Sequence, residues 1–358
     1  MWPSRRLLDL LRIEHPIIQA PMAGHMDGDL VAAVSEAGGF GCLPCAMLNA
    51  EKLREEVGKI RARTTKPIGL NFFCHTAPVP NNAREAAWRE RLAPYYRELG
   101  IDPAAPVPFF NRAPFDEALL EAVLEIRPEA VTFHFGLPAA PLYDMLKREG
   151  FLVISSATTV AEARWLAERE VDAIIAQGFE AGGHRGMFLT ENVAAQVGTL
   201  ALVPQVRDAV SVPVIAAGGI ADARGIAACF ALGADGVQIG SAYLRTPEAK
   251  ISAPHRAALN TARDDATVLT NVLTGRPARG FLNRIIREQG PISEAPPQFP
   301  LAAGAVQPLR AMAEAQGSGD FSPLWSGQAV ALGCELGAAA LTHKFAAEAL
   351  DRLRSLAG

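Results

Sequence analysis

Short apolar runs alternate along the chain with longer stretches in which apolar positions recur every three or four residues. Runs that are apolar on both faces are typical of strands in a covered parallel sheet, and the longer spacing is typical of amphipathic helices. The strands are predicted at 16–22, 39–43, 67–73, 130–135, 151–156, 171–177, 213–217 and 236–241. Helices are predicted between them, at 29–37, 50–63, 115–126, 159–169 and 222–232.

Eight strand–helix units within about 245 residues match the length of a (β/α)₈ barrel, or TIM barrel. An open, doubly wound sheet is the alternative, but it usually has fewer strands and a GxGxxG fingerprint after the first one. Here the first strand leads into Ala-Pro-Met-Ala-Gly at 20–24, without that fingerprint. The sequence therefore predicts an α/β protein built on a TIM barrel.

Two segments interrupt the alternation and define the predicted domain organisation. The barrel would occupy 1–245, with a folded excursion at about 76–114 that is rich in proline and charge and lies over the strand ends. We expect 246–324 to form a smaller, mainly helical substrate-covering region. The Ala- and Leu-rich stretch 325–358 is expected to be a C-terminal helix that packs back on the barrel.

The composition argues against nucleic acid and membranes as binding partners. A chain of 358 residues with 49% hydrophobic and 20% charged residues is typical of a soluble globular protein. The net charge of −4 provides no basic field for nucleic acid, and no apolar run reaches the ~18 residues that a membrane span needs. No signal-peptide pattern is recognisable, so we expect a cytoplasmic protein.

The cysteines do not indicate a disulfide framework, since there are five of them at scattered positions. Cys42 and Cys45 have CxxC spacing, but a zinc site would need two further ligands and no second pair is present. We interpret both as small packing residues rather than as redox or metal-binding groups.

Glycines follow the last two predicted strands, where this fold commonly binds phosphate. Gly218 and Gly219 come after one strand, and Gly240 and Ser241 end the next. Glycine lets backbone N–H groups approach an anion, a helix N-terminus near Asp222 would face it, and a serine hydroxyl adds a donor. This pattern predicts a phosphorylated ligand and leaves open whether it is substrate or cofactor.

Polar residues on apolar strands indicate where a cofactor and a catalytic group would lie. The side-chain amides of Asn71 and Gln177 suit the alternating donor and acceptor edge of an isoalloxazine ring, although bonds to neighbouring backbone would also satisfy them. His184 follows a glycine cluster and is suited to proton transfer near neutral pH, the alternative being an exposed histidine in a tight turn. His134 could face substrate or pack outward, and Arg185 is interpreted as a structural or solvent-facing cation.

Six motifs together resemble the nitronate monooxygenase family, formerly called nitropropane dioxygenases. They lie at 15–24, 71–73, 177–186, 213–220, 233–241 and 323–328. The resemblance extends over nearly the whole chain, and its most specific part is Ala-Gly-Gly-His-Arg-Gly at 181–186. The barrel strands alone are shared with many flavin enzymes.

The resemblance implies an FMN-dependent monooxygenase that oxidises alkyl nitronates, and by extension nitroalkanes, with molecular oxygen to a carbonyl compound and nitrite, without a metal. His184 would be the catalytic residue, and His134 and His184 would bind substrate. The residues implied to bind FMN are Met22, Ala23, Gly24, Asn71, Gln177, Gly182, Gly183, Gly218, Gly219, Gln238, Ile239, Gly240 and Ser241.

Other functions remain open at this point. Relatives with the same pattern include NAD(P)H-dependent quinone reductases and enoyl-thioester reductases, although no second dinucleotide fingerprint is present. A barrel that binds a phosphorylated ligand without redox chemistry is the alternative from another class. The protonation state of His184, the nitronate that is used and assembly into a homo-oligomer are likewise left open.

Overall fold

The computed structural model describes residues 1–107 and 112–357. Its strands are β1 (Ile17–Gln19), β2 (Phe40–Pro44), β3 (Ile68–Phe73), β4 (Ala130–His134), β5 (Leu152–Ala157), β6 (Ala173–Gln177), β7 (Gly183–His184), β8 (Val214–Ala217), β9 (Gly236–Ile239), β10 (Thr267–Thr270) and β11 (Ala278–Phe281).

The helices surround these strands. They are α1 (Arg6–Leu11), α2 (Gly28–Glu36), α3 (Ala50–Arg61), α4 (Asn82–Glu98), α5 (Glu117–Ile126), α6 (Ala140–Arg148), α7 (Val160–Ala167), α8 (Thr199–Ala209), α9 (Ala223–Ala231), α10 (Ala253–Asn260), α11 (Arg284–Gln289), α12 (Ala302–Ala315) and α13 (Ala338–Ala357).

Eight parallel strands close into a barrel in the order β1-β2-β3-β4-β5-β6-β8-β9, and β1 pairs with β9 to complete it. The predicted TIM barrel is confirmed, with a strand at each of the eight predicted positions. The first strand is shorter than the apolar run that predicted it. It ends at Gln19, and the next residues form a loop at the carboxyl end of the barrel.

Polar caps begin several of the outer helices. The side chain of Thr159 accepts a hydrogen bond from Glu162 N at the start of α7, and that of Asp222 accepts from Arg224 N and Gly225 N at the start of α9. Threonine and aspartate are both preferred residue types at this position. Each satisfies N–H groups that have no partner within their own helix.

The last helix completes the outer ring. α13 packs against α2 and α9, so it covers the barrel where the last strand meets the first. Thr342 of this helix shares a 2.8 Å hydrogen bond with the buried Tyr243 hydroxyl. The sequence places this helix more than 90 residues beyond the strands that it covers, and only the closed barrel brings them together.

The covering region contains a strand pair that the sequence pattern did not predict. It holds α10, α11 and α12, but also the antiparallel pair β10 and β11, and β11 pairs with β7 from the barrel loop. The reason is that β7 is two residues long and its pairing partner lies about 90 residues away, so neither strand has a local pattern that identifies it.

A second hydrophobic cluster joins the excursion to the covering region. Trp88 and Tyr96 of α4 pack with Ile285 of α11 and Leu309 of α12. The Tyr96 hydroxyl also donates to the carbonyl of Ala305 at 2.5 Å. These contacts hold α4 on the covering side of the barrel, whereas the domain boundaries themselves stay a prediction.

Across the described ranges, no helix combines the length and the apolar character that crossing a bilayer requires.

Candidate active site

A large cavity opens at the carboxyl ends of the barrel strands. The space between its lining residues is about 1240 Å³, including the open mouth. The predicted site residues that line it are Met22, Ala23, Asn71, His134, Gln177, Gly182, Gly183, His184, Gly218, Gly219, Gln238, Gly240 and Ser241.

Two of the residues implied to bind FMN do not line the cavity. Gly24 lies in the adjoining turn with a φ of +80°. Ile239 is 1% exposed and belongs to the barrel core, because successive strand residues point to opposite faces and its neighbour Gln238 faces the cavity.

Gly182, Gly218, Gly219, Gly240 and Ser241 form one edge of the cavity, here called the glycine rim, where backbone segments lie close together. Gly218 and Gly219 have φ values of +110° and +69°, which only glycine adopts without strain. A Cβ on Gly182 would lie 2.5 Å from Gly327 N, and that same N–H donates to Ser241 Oγ at 2.8 Å. The C-terminal motif therefore forms part of the rim.

The expected helix N-terminus is already capped. Asp222 Oδ1 accepts from Arg224 N at 2.9 Å and from Gly225 N at 3.2 Å. Its carboxylate therefore takes up N–H groups that were expected to face an anion, which corrects that expectation. An anion at this rim would rely on the N–H groups of the glycine loops instead.

Three side-chain amides, those of Asn71, Gln177 and Gln238, face the cavity and differ in how many hydrogen bonds they make with protein. Asn71 Nδ2 donates to Thr132 Oγ1 at 2.8 Å, and Gln177 connects His184 O to Gly186 N through bonds of 3.1 and 2.8 Å. Within the described chain, the Gln238 side chain and Asn71 Oδ1 make no hydrogen bond with protein. These polar atoms are available to a ligand in the cavity.

The backbone of His184 is held from two sides. β7 pairs with β11, where His184 lies opposite Ala278. The His184 carbonyl accepts from Gln177 Nε2 and from His134 Nε2, both at 3.1 Å. This region is therefore a buried strand pairing and not an exposed turn.

The His184 ring is enclosed by aromatic side chains. Its centroid lies 5.2 Å from that of Phe299 and 5.5 Å from that of Trp325. Its Nε2 lies 3.0 Å from the hydroxyl of Thr274. The covering region and the C-terminal motif thus supply one wall of the site.

Burial keeps the His184 imidazole neutral. Loss of solvent contact is the main cause that lowers its pKa well below the usual value, and the positive charges of Arg112 and Arg276 lower it further, as do His134 and His75. A neutral imidazole can accept a proton at pH 7. The sequence left this protonation state open, and burial favours the neutral imidazole.

His134 is committed to protein partners. A carbonyl only accepts, so His134 Nε2 donates to His184 O, and Nδ1 accepts from the Ser156 hydroxyl at 2.7 Å. Burial lowers the pKa of His134 to about 4. The ring lines the cavity, but its nitrogens hold the His184 backbone. This arrangement favours a positioning role over the predicted contact with substrate.

Acid is expected to destabilise the fold through this ring. The pKa of His134 is depressed on folding, so between pH 6.5 and about 4 the unfolded chain binds a proton that the folded chain does not. The free energy of unfolding should fall by roughly 3 kcal/mol across that window from His134 alone. Chemical denaturation at several pH values measures it, and His134→Gln should flatten the slope. An unchanged slope in that variant would contradict the assignment.

Arg185 is a structural cation that is fully buried rather than solvent-facing. Its guanidinium donates to the carbonyls of Gln177 and Gly178 at 2.8 and 2.5 Å and to Gln196 Oε1 at 3.0 Å. These bonds fix the turn that follows β6 and hold the adjacent catalytic candidate in place.

Sequence reasoning missed several residues at the site. Arg112 and the neutral His25, whose pKa burial lowers to about 3, line the cavity. Arg276 lies over Phe135, with its guanidinium carbon 3.9 Å from the ring centre. Trp325 lies in the family motif at 323–328. Arg112 and Arg276 lie in no recognisable motif, so the sequence around them did not indicate a place at the site.

Among the described residues, the cavity lining has no negatively charged side chain. Neither Asp nor Glu is among its lining residues in the described part of the chain. Over the same residues, no group of His, Cys, Asp and Glu is arranged to hold a metal ion. The two cysteines of the CxxC pair are buried, and burial raises the pKa of Cys42 to about 12, as expected for packing residues.

Comparisons with known proteins identify the family of this chain. The nitronate monooxygenase family model matches residues 4–347. A nitronate monooxygenase of Pseudomonas aeruginosa is 43% identical over 347 residues, which cover 96% of this chain and 98% of that protein. One from Paraburkholderia phytofirmans is 40% identical over 359 residues, covering 99% and 98%.

A solved structure is similar over the full length of the chain. The nitroalkane oxidase of Streptomyces ansochromogenes superposes with a TM-score of 0.89 at 38% identity, covering 99% of this chain and 100% of that one. The family match spans nearly the full chain, and the motifs that carry it surround the cavity. This chain belongs to the nitronate monooxygenase family.

Proposed function

We propose that this chain catalyses the flavin-dependent oxidation of alkyl nitronates by molecular oxygen, giving a carbonyl compound and nitrite. The observation that carries the proposal is a cavity that joins a buried neutral imidazole, a guanidinium group and a glycine rim, with no carboxylate among its described lining residues. Family membership supports the same reaction class.

FMN fits the residues that are present. The rim formed by Gly218, Gly219, Gly240 and Ser241 would hold its phosphate, and the unpartnered Gln238 amide would contact its polar groups. A Cβ on Gly183 would find no atom within 4 Å, so open space lies beside this glycine. When bound, FMN would accept electrons from the nitronate and pass them to oxygen.

Positive charge in this region suits an anionic substrate. A nitronate is a resonance-stabilised anion, and Arg112 and Arg276 lie close enough to lower the pKa of His184. A single positive group ~4 Å from the anion would contribute on the order of 4 kcal/mol before desolvation. The guanidinium groups, rather than a protonated His184, therefore supply the favourable charge.

His184 would act on the nitroalkane form of the substrate. A nitroalkane carries an acidic α-proton, and the neutral imidazole can remove it to generate the nitronate inside the cavity. A nitronate added from solution has already lost that proton. A comparison of the two substrates therefore distinguishes proton removal by His184 from the other contributions of the site.

The proposal is tested by spectroscopy on the purified protein. We expect a flavin absorbance spectrum, and rapid bleaching when an alkyl nitronate is added without oxygen. NADH should bleach it slowly or not at all. Rapid bleaching by NADH with none by the nitronate would support a reductase, and protein that stays colourless with added FMN would exclude flavin chemistry.

A further inference from the structure

We propose that Thr274 is a positioning residue that fixes the tautomer and orientation of the His184 ring. The proposal rests on the proposed function, in which His184 is the base. It gives the covering region a part in orienting the base, because Thr274 lies in the turn between β10 and β11 and not in the barrel.

The hydrogen bonds define the proton's position. Thr274 Oγ1 lies 3.3 Å from the carbonyl of Arg276, which can only accept, so the hydroxyl donates there. With its hydrogen directed at that carbonyl, the hydroxyl accepts from His184 Nε2–H, and the two heavy atoms lie 3.0 Å apart. This places the ring proton on Nε2 and leaves the lone pair of Nδ1 as the basic site of the neutral imidazole.

The turn that carries Thr274 has little freedom. Gly275 has a φ of +86°, and a Cβ there would lie 2.2 Å from the carbonyl oxygen of Pro297. Its N–H donates to Asn271 O at 2.8 Å, and the Asn271 side chain bonds the backbone of Ser293 at 2.7 and 2.9 Å. Thr274 itself is 4% exposed. The hydroxyl is therefore held in place before substrate binds.

The opposite side of His184 is held independently. Gln177 and His134 bind its backbone carbonyl but not its ring. Among the described side chains, Thr274 is the hydrogen-bond partner of the ring. Loss of the Thr274 hydroxyl should thus leave the backbone in place while it frees the ring to change tautomer or rotate.

The test compares Thr274→Val, which keeps the shape and removes the hydroxyl, with Thr274→Ser, which keeps the hydroxyl. Thr270→Val is the matched control, because Thr270 is buried in the same region and, among the described residues, its hydroxyl has Val272 N as its hydrogen-bond partner. We expect Thr274→Val to lower kcat for a nitroalkane on the order of 10-fold, with nitronate turnover nearly unchanged. Thr274→Ser should restore the rate, and Thr270→Val should not alter it.

Nitrogen-15 NMR of labelled histidine reads the tautomer directly and needs no substrate. The His184 signals are identified by their loss in His184→Asn, and we expect the Nε2–H form in the wild type and a mixture in Thr274→Val. An Nδ1–H ring in the wild type, or an unchanged tautomer and rate in Thr274→Val, would overturn the proposal. Absence of nitronate turnover would count against the proposed function and not against the role of Thr274, because the NMR measurement of the tautomer does not depend on turnover.

Discussion

The His184→Asn variant is expected to lose about 10²–10⁴-fold of kcat/KM with a neutral nitroalkane while it keeps most of its activity with the corresponding nitronate. The physical reason is that His184 is buried and neutral, so it can remove the α-proton at pH 7. Asparagine cannot act as that base. The nitronate does not need the step.

Steady-state kinetics with both substrate forms, each prepared at known concentration, measure the difference. Asparagine is smaller than histidine, so it fits without displacing Phe299 and Trp325. Its side-chain amide can also form a hydrogen bond with the Thr274 hydroxyl. Flavin content and the midpoint of thermal unfolding serve as controls. Equal losses with both substrates would contradict the role of His184 as a base and would indicate that it binds the anion instead.

A side chain at Gly183 is expected to weaken FMN binding by at least about 100-fold. Gly183 lines the cavity with a φ of +72°, and a Cβ there would meet no atom within 4 Å. In Gly183→Leu the new side chain would extend into open space beside the rim, which we assign to the ligand. Fluorescence titration of the apoprotein with FMN measures the Kd.

The chain offers a matched control at Gly100, which is exposed, has a φ of +70° and likewise has open space around a Cβ. Gly183→Leu and Gly100→Leu impose the same backbone strain, roughly 1–2 kcal/mol, on the free energy of unfolding. Only the first should alter FMN affinity. Equal affinities in the two variants would place the flavin elsewhere in the cavity or outside it.

The sequence by itself determined the barrel and most of the rim. Strands that are apolar on both faces and helices with three- and four-residue spacing are local patterns, so they could be recognised without tertiary contacts. The caps at Thr159 and Asp222 follow from local chemistry as well. Glycines after β8 and β9 indicated the rim because the carboxyl ends of barrel strands meet at one face.

Tertiary structure alone decided the environment of the His184 imidazole. The pairing of β7 with β11 and the contact of His184 with Thr274 join residues about 90 positions apart, and the pKa of His184 depends on burial and on Arg112 and Arg276. It also assigned the ring nitrogens of His134 to protein partners. A sequence pattern identifies residue types and local spacing, whereas desolvation and hydrogen-bond partners arise only when distant segments fold against one another.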